Sequence, residues 1–347
     1  MIAKGRQIRV LVVDDSLLVR EMIGSILAEE QDILVVGEAV DGRQAINMAA
    51  SLKPDIITMD IEMPVLGGFE AIERIMADRP VPILVVTALT GVRIAFNAVS
   101  KGALDVIEKP DISQSNAAML VQKIRLLARV DVKAQLAAAA ARYLSLVTGK
   151  PGEKQAPLNR AEIVAIAAST GGPQAIRSIL AALPASFPLP IVIAQHNADG
   201  FSQGMVDWLG GETKLKVELA SHGGMIVGGR VYVNPSEYSM YLGTGGHMIL
   251  GDKLQGQTYS PSCNTLLASV AAAYRERSIG VILSGMGDDG VAGIQAIKNM
   301  GGSTIAQDAA SSVIYGMNQC AVERGWIDKV LPLSEIPAEL IRRAADR

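Results

Sequence analysis

The sequence predicts an α/β protein of two doubly wound parallel-sheet domains joined by a helical and flexible linker. In each half, short apolar runs typical of buried parallel strands alternate with segments of helical periodicity. The chain of 347 residues is also longer than one hydrophobic core usually organises. Between the halves, residues 147–160 are rich in glycine, proline, lysine and glutamine, as expected for an exposed hinge.

Composition and charge narrow the classes of function. Hydrophobic residues make up 49% of the chain and charged residues 19%, which is typical of packed globular protein. The 32 basic residues stand against 35 acidic ones and leave a net charge of -3, so we expect no nucleic-acid partner. No secretory signal or long apolar span is evident, which predicts a cytoplasmic protein without membrane insertion. Cys263 and Cys320 lack metal-ligand spacing, and we expect both thiols to be structural and free.

Polar residues follow each predicted strand of the first half. The apolar runs RVLVV, DIITM, PILVVT and LDVIE end at or next to a small set of side chains: Asp14 and Asp15, Asp60, Thr87 and Lys109. Segments such as LLVREMIGSILAEE and RQAINMAASL have helical periodicity and separate the strands. Ligands of such sheets bind outside the carboxyl ends of the strands, so we expect these side chains to converge on one rim.

The residue types in this set suit phosphoryl transfer to a carboxylate. Asp15 and Asp60 would ligate Mg²⁺ directly, and Asp14 would orient a metal-bound water. Thr87 and Lys109 would each bind one phosphoryl oxygen, and Asp60 would accept the phosphoryl group. A single aspartate at a strand end is usually a solvated loop residue, but that reading does not explain the ordered set.

Residues 8–130 resemble a response-regulator receiver domain on this set of residues. The resemblance implies phosphorylation of Asp60 by a partner histidine kinase, with Asp14, Asp15 and Asp60 around Mg²⁺. The chain departs from the pattern at Val106, where receivers usually carry an aromatic residue.

Residues 131–160 are predicted to link this domain to a second one over residues 161–345. The stretch from Asp111 to about residue 146 has helix-forming composition, with Asp111 or Ser113 as a candidate cap. It predicts a last receiver helix, continued by an alanine-rich extension.

The second half opens with IVAIAASTGGPQAIRSILAAL, which predicts a strand, a glycine-rich turn at Ser169 and a helix. Backbone N–H groups at such a turn stabilise negative charge, as a nucleophile requires. The same turn would serve phosphate or dinucleotide binding, or be a plain tight turn. The full GxGxxG spacing is absent, which disfavours the nucleotide alternative.

Two further strand ends complete a hydrolytic set. The run PIVIAQ ends at His196, and GVILSGMGDDG brings Asp288 and Asp289 to the end of another strand. Serine, histidine and aspartate at three strand ends of one Rossmann-like parallel sheet can form a triad. We favour Asp289 as the acid because it immediately precedes Gly290 and a predicted helix. Asp288 could cap that helix and so have no catalytic role. The backbone N–H of Met286 is a candidate oxyanion donor.

The other two histidines lie in turn-like sequence. His222 stands in SHGG, and His247 stands in GTGGHMIL, which predicts a hairpin. Both are therefore expected at the surface.

The segments AASTGGP, QH, YVNP, PSCNTLL, SGMGDDG and AQD with IYGM resemble the catalytic domain of chemotaxis protein-glutamate methylesterases, the CheB family. The resemblance implies Ser169 as nucleophile, His196 as base and Asp289 as orienting acid. It further implies demethylation of glutamate methyl esters on chemoreceptor helices, and deamidation of receptor glutamines, in sensory adaptation. The phosphodonor would be a chemotaxis histidine kinase, and hydrolysis would need no cofactor. The chain departs from the family at the pair Asn197-Ala198, at Asn264 and at Asn318.

Two other functions compete with hydrolysis. In the first, the second domain is a phosphorylation-switched receptor-binding module with little catalysis. In the second, it is a nucleotide-dependent reductase, but the fingerprint and the ribose-binding acid are missing. The presence of Ser169, His196 and Asp289 together favours the enzyme.

Overall fold

The computed structural model describes residues 6–88, 92–109, 114–134, 161–253 and 260–345, without the side chains of residues 92–94 and 114–116. The chain divides into two compact units, Met1–Ala137 and Ala138–Arg347. The predicted caps Asp111 and Ser113, the alanine-rich extension and the hinge lie outside the described residues. Of the helices within these ranges, none is both long and apolar enough to cross a membrane.

Strands and helices alternate through the first unit. Its strands are β1 Ile8–Val13, β2 Ile33–Ala39, β3 Ile56–Met59, β4 Ile83–Thr87 and β5 Asp105–Glu108. Its helices are α1 Leu17–Ala28, α2 Gly42–Leu52, α3 Gly68–Asp78, α4 Val92–Ser100 and α5 Gln114–Leu127.

The five strands form one parallel sheet in the order β2-β1-β3-β4-β5. This is the flavodoxin-like order, whose topological switch point lies between β1 and β3. Strands β3 and β4 are buried along their whole length, which explains their continuous apolar runs. Pairing of Val13 with Met59 brings the ends of β1 and β3 side by side, so the residues that follow these strands become neighbours.

The second unit repeats the alternation and adds a hairpin. Its strands are β6 Ile163–Ala168, β7 Ile191–Gln195, β8 Lys216–Leu219, β9 Arg230–Val233, β10 Ser239–Leu242, β11 Met248–Gly251, β12 Ser278–Ile282, β13 Ser303–Gln307 and β14 Lys329–Leu331. Its helices are α6 Gly172–Ala182, α7 Phe201–Glu212, α8 Cys263–Tyr274, α9 Val291–Asn299, α10 Met317–Glu323 and α11 Ile336–Ala345.

Seven of these strands form a parallel sheet in the order β14-β13-β12-β6-β7-β9-β8. Strands β10 and β11 pair antiparallel and form the predicted hairpin around His247. The chain runs from β6 to β7 on one side and returns to the other side of β6 at β12. The carboxyl end of β6 is therefore a switch point, where open α/β sheets bind ligands. The predicted class, α/β with parallel sheets, is confirmed in both units.

Candidate functional site

The first unit brings its predicted acids together at the ends of β1 and β3. Asp14 and Asp60 are buried, whereas Asp15 is exposed. Lys109 Nζ lies 2.8 Å from Asp14 Oδ2 and 2.7 Å from Asp60 Oδ2. The backbone carbonyl of Thr87 accepts a hydrogen bond from the Lys109 N–H at 2.8 Å, which joins the end of β4 to the lysine. The predicted set thus lies on one rim.

Three carboxylates lie close together at this rim beside a single lysine, and their negative charge favours binding of a cation. Burial raises the pKa of Asp14, and the neighbouring Asp60 raises it further against the lowering effect of Lys109. Burial alone would lower the pKa of Lys109, but its hydrogen bonds to Asp14 and Asp60 raise it above its usual value. Oxygen atoms of Asp14, Asp15 and Asp60 lie within 4.8 Å of one another. Oxygen ligands are what Mg²⁺ prefers, so these residues fit that ion.

Arg20 of α1 supports the same rim and was not identified from the sequence. Its Nη1 donates to the backbone carbonyls of Asp14 at 2.8 Å and Asp15 at 3.1 Å, and its Nε pairs with Glu38 at 3.2 Å. The guanidinium therefore holds the loop that carries both acids. Its position on an otherwise amphipathic helix gave no signal, because arginines on such helices usually face solvent.

Ser169 follows β6 and begins a turn in which Gly171 adopts a left-handed backbone conformation, which favours glycine. Its N–H donates to the Ser284 carbonyl at 3.0 Å, which ties the turn to the end of β12. Gly171 adopts a φ of 77°, and α6 starts at the next residue. A Cβ atom at Gly285 would lie 2.7 Å from the Ser169 Cβ, so the SGMG turn packs its backbone directly against the serine.

His196 lies beside Ser169 because the two residues follow paired strand ends. Ala168 pairs with Gln195 in the β6–β7 register, and the His196 N–H donates to the Ala168 carbonyl at 3.1 Å. The buried Gln195 amide donates to the carbonyls of both Ser169, at 2.8 Å, and His196, at 3.0 Å. One side chain therefore fixes the backbone of both predicted catalytic residues.

Asp289 accepts the hydrogen bond of the histidine. Its Oδ2 lies 2.9 Å from His196 Nε2 and accepts the Cys263 N–H at 2.7 Å. Its Oδ1 accepts the Asn264 N–H at 3.0 Å and the Ser262 hydroxyl at 3.2 Å. Burial alone would raise the pKa of Asp289, but the His196 contact and the N–H groups at the start of α8 hold it below its usual value. The carboxylate is therefore ionised and can orient the imidazole.

The neighbouring acid, Asp288, lies outside this hydrogen-bond network. Asp288 is exposed, and its backbone carbonyl accepts the Val291 N–H at 3.0 Å. The alternative that Asp288 caps α9 is wrong, because the acceptor there is Asn264 Oδ1. That atom binds the N–H groups of Gly290 at 2.9 Å and Gly293 at 2.8 Å. An acceptor that lies so far back in the sequence leaves no local capping signal.

Met286 follows Gly285 in the turn that packs against Ser169. The Gly285 N–H donates to the Ile314 carbonyl at 3.1 Å, and its carbonyl accepts the Met317 N–H at 2.9 Å. These bonds hold the turn beside the serine. The oxyanion role of Met286 stays a prediction.

The Cys263 thiol contacts His196, although no sequence pattern indicated that it belongs to the site. Cys263 is fully buried, and its Sγ lies 3.3 Å from His196 Nε2. Burial, followed by the charge of Asp289, raises the pKa of the Cys263 thiol well above its usual value. A protonated thiol is a poor nucleophile, and it contacts the same ring nitrogen as Asp289. The geometry therefore does not support a cysteine-based triad.

The family departures lie in the loop after β7, where Asn197 stands, and in the first turns of α8 and α10, where Asn264 and Asn318 stand. Asn318 is buried, and its Nδ2 donates to the Gln307 carbonyl at 3.0 Å and to Ser312 Oγ at 2.8 Å. Asn197 Nδ2 contacts Met205 Sδ at 3.5 Å. Asn318 therefore ties the start of α10 to the end of β13 and the loop that follows it, as Asn264 ties α8 to the start of α9.

The other histidines and cysteine lie elsewhere. His222 and His247 are both exposed, as the turn-like sequence predicted. Both cysteines are free, as expected.

Comparison with known proteins matches both units. The family model for CheB methylesterase matches residues 164–340, and that for the response regulator receiver domain matches residues 10–123. The chain is 46% identical to the protein-glutamate methylesterase/protein-glutamine glutaminase 3 of Paramagnetospirillum magneticum, over 98% of this chain and 97% of that protein. Its identity to the corresponding protein 2 of Anaeromyxobacter dehalogenans is 43%, over 96% of each chain.

Solved structures agree for the second unit. The crystal structure of the Thermotoga maritima CheB methylesterase catalytic domain is 35% identical and aligns with a TM-score of 0.51. The match covers 52% of this chain and 98% of that one.

Proposed function

Because this chain belongs to the CheB methylesterase family, we propose that it hydrolyses glutamate methyl esters on chemoreceptors and deamidates receptor glutamines under the control of phosphorylation. The observation that carries the proposal is the 2.9 Å contact between His196 Nε2 and Asp289 Oδ2, next to the strand end that bears Ser169. A histidine oriented by an ionised carboxylate beside a serine is suited to acyl transfer.

The hydrolysis proceeds in two halves. Asp289 occupies Nε2 of His196, so Nδ1 is the nitrogen that accepts the Ser169 hydroxyl proton as Oγ attacks the ester carbonyl. The C–O bond to the methoxy group then breaks, and the histidine returns the proton to release methanol. Water, deprotonated by the same nitrogen, then attacks the acyl carbonyl and the bond to Ser169 Oγ breaks. The histidine returns its proton to Oγ, and the product is released as glutamate with its acid proton lost to solvent. For a glutamine, the leaving group is ammonia and the other steps are the same.

Two features lower the barrier. Asp289 stabilises the imidazolium that forms in each half, because its charge is already fixed by three protein donors besides the histidine. The Met286 N–H would donate to the developing oxyanion from the turn that packs on Ser169. Side chains and backbone N–H groups of the protein supply all of this chemistry, and we propose that hydrolysis uses no cofactor.

The first unit would control this activity through a phosphoaspartate. Asp15 and Asp60 would hold Mg²⁺, with Asp14 acting through a bound water, and the ion would neutralise the charge of the transferred group. Asp60 accepts the phosphoryl group from a chemotaxis histidine kinase. Lys109, which pairs with Asp14 and Asp60, is within reach of a phosphoryl oxygen on Asp60. Thr87 would bind another oxygen from the end of β4.

The substrate would be the methylated helices of chemoreceptors, and the setting the cytoplasm. The similarity to proteins named as methylesterases and glutaminases supports this substrate class. Both cysteines are free, which fits a reducing compartment.

The test is release of methanol from a methylated receptor, measured with and without a small phosphodonor and Mg²⁺. We expect turnover by the intact chain, an increase with the phosphodonor, and none with Ser169→Ala. A chain that binds the receptor but releases no more methanol than Ser169→Ala would instead support the receptor-binding module.

A further inference from the structure

The deepest part of the predicted active site holds three different metal-binding groups. His196 Nε2, Cys263 Sγ and Asp289 Oδ2 come together there, and the candidate ligand atoms of the three residues lie within 4.8 Å of one another. In the part of the chain that the structure describes, the only other three-residue group of this kind is the all-oxygen set of the first unit. A nitrogen, a sulfur and an oxygen donor together match the ligand preferences of Zn²⁺, not those of Mg²⁺.

The spacing of these atoms is close to that of a tetrahedral zinc site. The nitrogen lies 2.9 Å from the oxygen and 3.3 Å from the sulfur. Zinc bond lengths imply edges of about 3.3 to 3.6 Å between such ligands, so the nitrogen has to move only about 0.3 to 0.5 Å away from the oxygen and the sulfur. A fourth position would take water from the active site, where the serine also lies.

Backbone contacts hold two of the ligands in place. Cys263 and Asp289 are joined by the 2.7 Å hydrogen bond from the Cys263 N–H to Asp289 Oδ2. The second carboxylate oxygen is held by Ser262 and Asn264. Such outer contacts orient the ligands of metal sites, so little rearrangement would be needed.

We infer that His196, Cys263 and Asp289 form an inhibitory Zn²⁺ site that overlaps the hydrolytic site. Binding removes the thiol proton and the proton on Nε2 of His196, one passing to Nδ1 and the other to solvent. A histidine protonated at Nδ1 and metallated at Nε2 cannot accept the Ser169 proton, so hydrolysis stops. The inhibition rests on the proposed function, whereas the metal binding does not.

The experiment uses the full chain in excess Mg²⁺, so that the oxygen site of the first unit is saturated. Zn²⁺ is titrated against methanol release by the wild type, Cys263→Val and the matched control Cys320→Ser, each relative to its own metal-free rate. In parallel, Co²⁺ is added as a spectroscopic substitute, and its thiolate charge-transfer absorption is recorded for these proteins and for Ser169→Ala.

We expect Zn²⁺ to inhibit the wild type and Cys320→Ser at the same concentration. Cys263→Val should require a Zn²⁺ concentration at least about 10-fold higher, because even the loss of a contact to a ligand commonly lowers metal affinity 10- to 100-fold. The Co²⁺ band should be present in Ser169→Ala and absent in Cys263→Val. Equal inhibition of the wild type and Cys263→Val, or a band that persists without Cys263, would overturn the site. Because the band in Ser169→Ala requires no hydrolysis, the site can be judged even if the proposed function fails.

Discussion

The two units place buried carboxylates at equivalent ends of parallel sheets, yet compensate them differently. Asp14 and Asp60 share a single cation, Lys109, and the pKa of Asp14 is raised. Each of these two carboxylates also accepts one backbone N–H. Asp289 accepts two backbone N–H groups, a hydroxyl and the histidine, and its pKa is lowered. The first arrangement leaves excess negative charge, which suits a divalent cation and a phosphoryl group.

In the second arrangement, hydrogen-bond donors stabilise the charge of the carboxylate, which can hold a histidine in one tautomer. The comparison shows that a shared sheet end does not determine chemistry. The donors around each carboxylate do, and the following substitutions test that difference.

The largest effect is expected at Ser169 and His196. Because nucleophile and base act as a unit, Ser169→Ala, His196→Ala and the double substitution should each lower kcat by about 10⁴- to 10⁶-fold. Methanol release measures this loss, and phosphorylation of Asp60 serves as the control because it should be unchanged. Losses that add in the double variant would show that the two residues do not work together.

Asp289 should rank next, since it orients the base without reacting. In Asp289→Asn, the amide NH₂ cannot accept a hydrogen bond, so it would oppose either the N–H donors of α8 or the histidine. The histidine would no longer be held in the required tautomer, and kcat should fall by about 10³- to 10⁴-fold. Asp288→Asn is the matched control and should stay within about 3-fold of the wild type. The reverse ranking in the methanol assay would move the acid to Asp288.

Substitution in the first unit should affect control but not basal hydrolysis. Asp60→Asn should abolish phosphodonor labelling and the activation that follows it, a change in rate of about 5- to 150-fold if the coupling lies in the usual allosteric range. Lys109→Ala should still accept label but lose the activation. Labelling and methanol release are measured together, with the exposed Asp78→Asn as control. Wild-type labelling of Asp60→Asn would mean that the phosphorylated residue is another one.

The smallest effect is expected at Asn264, which supports the site from the scaffold. Asn264→Ala removes the acceptor of two N–H groups at the start of α9 and should cost about 1 to 2 kcal/mol in the free energy of unfolding. Asn264→Asp keeps an acceptor and should restore most of that loss. Tryptophan fluorescence during urea unfolding reports the second unit alone, because Trp208 and Trp326 both lie there. Equal midpoints for Ala and wild type would contradict the capping role.

Much of this molecule could be predicted from local sequence. Continuous apolar runs such as IVAIAA became fully buried strands, and the GTGGHMIL segment became a hairpin. Residues directly after strands, including Asp60, Ser169 and His196, lie at sheet ends because a parallel sheet aligns its carboxyl ends. The fold class and the residues at the sheet rims could therefore be predicted from local sequence patterns.

Which of those residues are in contact, and through which atoms, depends on how distant segments pack together. That Asp289 contacts His196 depends on β12 lying beside β6, and on α8 meeting the carboxylate with its first N–H groups. The contacts of Arg20 with the acidic loop and of Cys263 with His196 likewise join residues from different elements. Local periodicity reports burial and secondary structure, but strand order and side-chain contacts arise from packing between distant segments, for which a single sequence carries no local signal.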